Sequence, residues 1–538
     1  MRITSLQLTL AMFCFGLLSS ASAKEPAPPA APLPNLRVAS GDWPQWGGTH
    51  SKNMISMEKG LPLVFDPGKI KPGTTEVDFA TTKNCVWVTK LGSSVGGYFP
   101  GTGPITIGDG KILVGANNES PRDQRHLGDR GILYCLDEKT GKFLWQLVVP
   151  KLGGGKAGDW ELMGICSAAA IEGGRAYVIT NRCEVLCIDM NGLTDGNQGL
   201  QIEPNYMAGS GKGPIKPNNT DADILWRYDM REELGVFTHN ITSSSPLIVG
   251  ERLYVTTSNG VDWTHVNIPA SQAPSLICLD KKTGRLLGEE NAGISQRLLH
   301  CSWSSPSFGV VKDVPQVFFG GGDGWCYGFG LDLKASEEEG EEDFNFMEEL
   351  WRYDANPKKL RFGKNGNLNK PFGPGGPSEI IGTPVFYEDH VYLMIGQDAE
   401  HGEGPGMFSC IDPSMQGDLS GKAVWTFEGI GRGMSTPSIV DDLVYVAEYA
   451  GTLYCLDAKT GQEYWEIDFK SRITQASLVA DGRVYIGNED GELSILATGK
   501  KLERLGTVDF PAPLHAGIVA ANGVLYISTG SHLYAFKK

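Results

Sequence analysis

The sequence predicts an all-β protein: a single eight-bladed β-propeller of four-stranded blades, closed by an N-terminal strand that completes the C-terminal blade. Three observations predict it. Seventy glycines punctuate short apolar runs in a chain of 538 residues, and helical periodicity is scarce. One unit with four strand signals recurs along the chain. The last copy lacks its fourth strand, while an unpaired copy of that strand lies near the N-terminus.

The unit is clearest at 435–465, STPSIVDDLVYVAEYAGTLYCLDAKTGQEYW. STPSIV, LVYVAE, TLYCLD and a strand ending on Trp465 are separated by turn residues. Both faces of LVYVA and TLYCL are apolar, so the sheet must lie between other sheets. The Asp of DAKTG can accept hydrogen bonds from the turn backbone, and its Gly can take a positive φ. Further copies fall at 104–145, 167–226, 244–287, 304–351, 382–425 and 475–505. The tail at 515–538 has three strands, and NCVWVTKL at 84–91 supplies the missing outer strand, which protects the edges.

Two residue types repeat at fixed places. Trp87, Trp145, Trp226, Trp351, Trp425 and Trp465 end the outer strands, with Leu287 and Leu505 in the remaining two copies; a large buried ring at one structural position reads as packing between blades. Cys135, Cys187, Cys278, Cys410 and Cys455 recur in the third strands, too far apart to bridge, and read as small buried apolar residues. The pairing of Cys85, Cys166, Cys183, Cys301 and Cys326 stays open, although Cys183 and Cys187 cannot pair with each other on one extended strand.

Residues 1–23 read as a signal peptide, with Arg2, an apolar stretch and an Ala21-Ser22-Ala23 cleavage site. Residues 24–40 read as a Pro/Ala-rich linker and 41–538 as the propeller. Phe13 before Cys14 does not fit a lipoprotein site, and no later segment is long and apolar enough to span a bilayer. The chain is thus expected to be exported, to the periplasm or beyond, without a transmembrane segment. A formal charge of −16 repels phosphate backbones and argues against nucleic acid as a partner.

The LYxLDxxTGxxxW repeat resembles the PQQ-like, or quinoprotein-like, β-propeller repeat family from about Cys85 to the C-terminus, and the opening DWPQWGG at 42–48 resembles secreted bacterial members. The resemblance implies a fold more strongly than a function, because the family holds both PQQ-dependent alcohol dehydrogenases and a non-enzymatic lipoprotein of outer-membrane assembly. It also implies that loops between strands 2 and 3, and between successive blades, form the binding face.

That face carries long insertions at 117–131, 259–275, 355–379 and 396–406, where bare turns need few residues. They bring His126, Asp262, His265, Asp398, Glu400, His401 and Glu403. Residues ahead of the first strands add His239, Asn240, His300, Trp303, Arg432, Arg472 and His515. Imidazoles and carboxylates together can bind a metal or move protons. Asp398, His401 and Glu403 form the densest run of metal donors, but match no EF-hand spacing, so the sequence assigns no metal. On the other face, 191–222 reads as irregular and the acidic 336–349 as a solvated loop.

The favoured reading is an exported binding or scaffold propeller that holds a protein, polymer or small ligand on the elaborated face. The alternative is a PQQ-dependent dehydrogenase with calcium beside the quinone. The chain lacks both the adjacent cysteine pair of many alcohol-oxidising members and a CxxCH haem site. A hydrolase acting through the His and carboxylate loops is a less favoured reading.

Overall fold

The computed structural model describes residues 41–92, 103–336, 345–371, 375–397, 401, 404–515 and 517–538. The leader and linker expected at 1–40 lie outside the described residues, as do Asp398, Glu400 and Glu403. Strands dominate. The α-helices among the described residues are short: Glu203–Ala208, Met230–Leu234 and Lys358–Arg361.

The strands pair as four-stranded antiparallel meanders, eight among the described residues. The first joins Ile105–Gly108, Lys111–Ala116, Arg130–Asp137 and Phe143–Pro150. The second joins Ala170–Glu172, Arg175–Ile179, Glu184–Asp189 and Asp223–Asp229. The third joins Leu247–Val249, Arg252–Thr256, Leu276–Asp280 and Leu286–Glu290. The fourth joins Ser307–Val311, Val314–Gly320, Trp325–Ala335 and Asn345–Asp354. The fifth joins Val385–Tyr387, His390–Ile395, Met407–Ile411 and Trp425–Phe427. The sixth joins Ser438–Val440, Leu443–Ala447, Thr452–Asp457 and Glu463–Asp468, and the seventh Leu478–Ala480, Arg483–Gly487, Glu492–Ala497 and Arg504–Asp509. The eighth takes Ile518–Ala521, Val524–Ser528 and His532–Phe536, then receives Cys85–Lys90, with Ala535 opposite Trp87.

Local chemistry explains the repetition. The first hairpins turn on two residues with positive φ, such as Asp441 and Asp442 (51° and 59°) or Asp481 and Gly482 (54° and 71°). That is the turn whose twist matches paired strands. In the third hairpins, Asp137, Asp280 and Asp457 accept the backbone N–H of Thr140, Thr283 and Thr460 at 2.9, 2.8 and 2.9 Å.

The tryptophans do more than fill space. The Trp87 indole N–H donates to the Glu138 carbonyl of the first sheet at 3.1 Å, Trp145 to Met190 of the second at 2.9 Å, and Trp226 to Lys281 of the third at 3.2 Å. Trp425 and Trp465 reach Ala458 and Gly499 at 2.9 Å each. Rings also lie on the next sheet's hairpin glycine. A Cβ on Gly141, Gly284 or Gly461 would sit 2.5, 2.5 or 2.4 Å from the docked indole. Trp351 differs: it donates to Gln316 of its own sheet at 2.8 Å, and Gln316 passes the bond to the Pro413 carbonyl at 3.2 Å. Cys135, Cys187, Cys410 and Cys455 sit directly across from Trp145, Trp226, Trp425 and Trp465, where a small residue leaves room for the indole. All ten cysteines of the described chain are free thiols.

Two expectations are corrected. The acidic 336–349 is not a loop throughout, because strand pairing runs through Ala335 and resumes at Asn345; residues 337–344 lie outside the described residues. The outer strand there also pairs in parallel with the third sheet, Glu289 opposite Phe346. Residues 191–222 are not irregular throughout either. They hold a 3-10 turn at Gly192–Asp195 and the helix Glu203–Ala208, and clip onto the first sheet's outer strand through Gln146, bonded at 2.9 and 3.0 Å.

Residues 43–56 cross the first strands of the sheets in order. The carbonyls of Trp43, Pro44, His50, Ser51 and Met54 accept from Ile107, Ile171, Phe308, Phe386 and Val479 at 2.7–3.2 Å. The His50 ring bonds backbone at Ile248, the Asn53 amide pairs both ways with Ile439 at 2.8 Å, and Ser56 donates to Ala520 at 2.8 Å. Lys52 in this segment is fully buried, and its Nζ donates to Gln45 Oε1 at 2.9 Å. Burial pushes its ammonium down to about 7.

Trp145→Ala is expected to cost about 3–5 kcal/mol in a denaturant melt, since it removes a buried ring and strands a carbonyl; a loss below about 1 kcal/mol would contradict the docking role. Lys52 yields a pH prediction. Its folded pKa lies below the unfolded value, so between about 7 and 10.5 the unfolded chain binds the extra proton and wild-type stability gains from rising pH. Lys52→Met should therefore be more stable than wild type at pH 7, with the advantage shrinking toward pH 10. An advantage constant across that range would contradict the assignment.

Candidate functional site

Three loops meet between the second, third and fourth sheets. The Phe237 carbonyl accepts from Gly260, the Asn259 carbonyl from Ser302, and the His300 carbonyl from Val261, at 2.9, 3.1 and 2.9 Å. These bonds zip 237–240, 259–261 and 300–302 into a small ladder. Asn259, fully buried, ties them further: its Oδ1 accepts from Phe237 N–H at 3.0 Å, and its Nδ2 donates to Ala270 and Ser295 at 2.8 and 2.9 Å. Gly260 is needed because a Cβ there would lie 2.6 Å from the His239 Cβ.

The ladder gathers imidazoles. His239 and His300 are fully buried, and His265 is half-buried. Ring centroids are 4.9 Å apart for His239–His265, 4.6 Å for His239–His300 and 5.1 Å for His265–His300. His401, from the fifth sheet, comes within 5.0 Å of His265 and 4.7 Å of His300. Trp303 stands edge-on to His300 at 4.7 Å and donates its N–H to the Ile241 carbonyl at 2.9 Å. His239 Nδ1 lies 2.7 Å from the Val261 carbonyl, and His300 Nδ1 lies 3.4 Å from Oε1 of buried Glu379. An Nδ1–H donated to those oxygens places the lone pair of each neutral ring on Nε2.

The other expected residues serve varied ends. Asp262 organises the loop that carries His265. Its carboxylate accepts from Thr264 Oγ1 at 2.6 Å and Asn267 Nδ2 at 2.8 Å, bonds that hold its pKa below the usual range. Asn240, with φ 57°, pins 155–163 through backbone bonds to Ala157 and Trp160. The Arg432 guanidinium lies 4.6 Å above the Tyr449 ring, and Arg472 lies over the same ring at 5.6 Å. His515 Nδ1 meets Thr474 Oγ1 at 3.1 Å, and burial pushes its pKa down to about 4.

His126 belongs to a second cluster, with Asp123 and Asp221. Its insertion meets the 191–222 insertion rooted on the other face. Arg125 bridges Asp123 at 2.6 Å and Asp221 at 2.7 Å, so a cation already occupies the space between these carboxylates. Burial is the largest influence on His126 and lowers its pKa.

Glu379, Asn259 and Gly260 carry no signal that singles them out in the sequence. Asn259 and Gly260 open an insertion as an ordinary Asn-Gly turn pair would, and Glu379 is one acid in a Gly/Pro-rich loop; none has a periodic signal.

A family profile described as outer membrane protein assembly factor BamB matches residues 409–505. A stretch of 101 residues is 31% identical to outer membrane protein assembly factor BamB of Salmonella typhimurium, covering 16% of this chain and 26% of that protein. Another of 76 residues is 37% identical to serine/threonine-protein kinase AfsK of Streptomyces griseus, covering 13% of this chain and 9% of that one. The matches thus span about a quarter or less of these relatives. A quinohemoprotein alcohol dehydrogenase from Pseudomonas putida superposes with TM-score 0.55 and 12% identity over 93% of this chain and 80% of its own. BamB from Moraxella catarrhalis superposes with TM-score 0.47 and 13% identity over 84% of this chain and 97% of its own. The sheets and the superposition on the dehydrogenase define an all-β, propeller-type fold. Over 409–505 the repeat is similar to that of the PQQ-like assembly-factor profile.

Asn259→Ala removes partners from buried groups of three loops. It is expected to lower stability by at least about 2 kcal/mol and to raise hydrogen exchange at 237–240 and 300–302. Unchanged exchange there would contradict the ladder.

Proposed function

We propose that this chain is a closed, eight-bladed propeller, exported from the cytoplasm, that binds a protein partner on its insertion-bearing face. Two features support the closed ring: the N-terminal segment visits the first strands in chain order, and Trp87 joins the eighth sheet to the first. The leader-like N-terminus supports export, and no helix among the described residues is long and apolar enough to cross a membrane.

The observation that carries the binding role is the convergence of loops from three sheets on one set of side chains. The fold needs only short turns there; instead 259–275 displays Trp263 and Val266, 59% and 75% exposed, beside His265. Exposed apolar tips next to organised polar groups suit a protein surface. The name of the assembly-factor relatives agrees with a role in assembly with other proteins.

The dehydrogenase reading fits less well. Calcium takes six to eight oxygen ligands, whereas the described residues present imidazoles, with the Glu379 carboxylate turned to His300. Among the described residues, this donor set does not offer the oxygens that calcium beside PQQ would take.

A photo-crosslinking residue at Trp263, in cells that make the protein natively, is expected to give one discrete protein adduct. The same residue at Leu502, on the third hairpin of the seventh sheet, should give none. Saturable binding of PQQ with calcium, together with alcohol-dependent reduction of an artificial electron acceptor, would overturn the binding reading in favour of the enzyme.

A further inference from the structure

We infer that His239, His265 and His300, with His401 as a fourth ring, form a binding site for one late divalent transition metal, copper(II) or zinc(II). The inference deepens the reading of this face as a binding face by naming a ligand for its centre.

Geometry carries it. One ring nitrogen from each of His239, His265 and His300 lies within 4.8 Å of those of the other two. Rings around a metal at about 2.0–2.1 Å need only close in modestly from there. The three rings meet at interplanar angles of 51–66°, and His401 stands at 90° to His300. The rings are crossed, not stacked.

The surroundings set the rings as ligands. The Val261 carbonyl and the Glu379 carboxylate hold Nδ1 of His239 and His300, which leaves the lone pair of each neutral ring on Nε2 and raises its basicity. A carboxylate behind an imidazole is the usual outer support of a ligating histidine. The backbone is committed to the same end: His265 adopts φ 57° in a loop fastened by Asp262. Strain of this kind persists where the surroundings over-determine a conformation.

Donor type selects the metal. Imidazole nitrogens suit zinc and copper, with copper(II) the tighter at a given nitrogen site. The second cluster makes the contrast: Arg125 stands between the carboxylates near His126, so that site has its cation built in.

The test uses the full chain, stripped with chelator and titrated with zinc, copper and cobalt salts. Wild type should bind one equivalent, and cobalt(II) should give visible d–d bands of nitrogen ligation. Glu379→Gln should weaken binding roughly 10–100-fold. His265→Ala and His401→Ala, on half-buried loop residues, should weaken it further while melting cooperatively, and His126→Ala should leave it unchanged. Absence of stoichiometric binding by wild type would overturn the proposal, as would full affinity in the His265→Ala, His401→Ala double variant. If metal binding fails while the Trp263 adduct forms, the site is wrong and the binding face stands. If metal binds and no adduct forms, the site stands and the protein partner is wrong.

Discussion

The indole of an outer-strand tryptophan, docked on the hairpin of the following sheet, is the contact on which the rest of the structure depends. It joins a buried ring, a hydrogen bond to a carbonyl and a glycine that must have no side chain. A sheet apolar on both faces cannot stand alone, so each needs its neighbours at a defined distance. The indole sets that distance. Where the third sheet has Leu287 in place of tryptophan, parallel pairing between outer strands joins it to the fourth. Where the fourth sheet keeps Trp351 but faces a different hairpin, Gln316 relays the bond.

The N-terminal segment adds a second constraint. By crossing the first strands in chain order it fixes their sequence along the segment, at the cost of burying Lys52. A buried ammonium in that position is expensive, and the low pKa expresses that expense. The same order brings the loops ahead of the third and fourth sheets together with a loop from the fifth, which is how His239, His300 and His401 become neighbours despite lying far apart in sequence.

The strands, turns and Trp stripe are legible in the sequence because their signals are local: alternation, a paired turn and one ring at a fixed place. The same local rule reads Cys135 and its equivalents as small buried residues, and they face the indoles. The site is legible only as a set of candidates. His239, His265, His300 and His401 all belong to that set, but nothing in the spacing groups them, because their proximity comes from a ladder between loops. His126 is a candidate on the same face and belongs elsewhere, since its insertion meets 191–222 and Arg125 locks it there. Asp398 and Glu403, the acids of the expected metal run, lie outside the described residues, while His401 of that run joins a different set of rings. Glu379 is invisible in the sequence because a lone acid carries no pattern until it meets its histidine.

Four imidazoles form one metal-binding centre within a propeller-type protein: that is the central claim. Anomalous diffraction at the zinc or copper edge, from crystals of the full chain grown with that metal, tests it most directly. The expected result is one strong peak enclosed by His239, His265 and His300 and within reach of His401. No peak there, or a dominant peak between Asp123, His126 and Asp221, would contradict it.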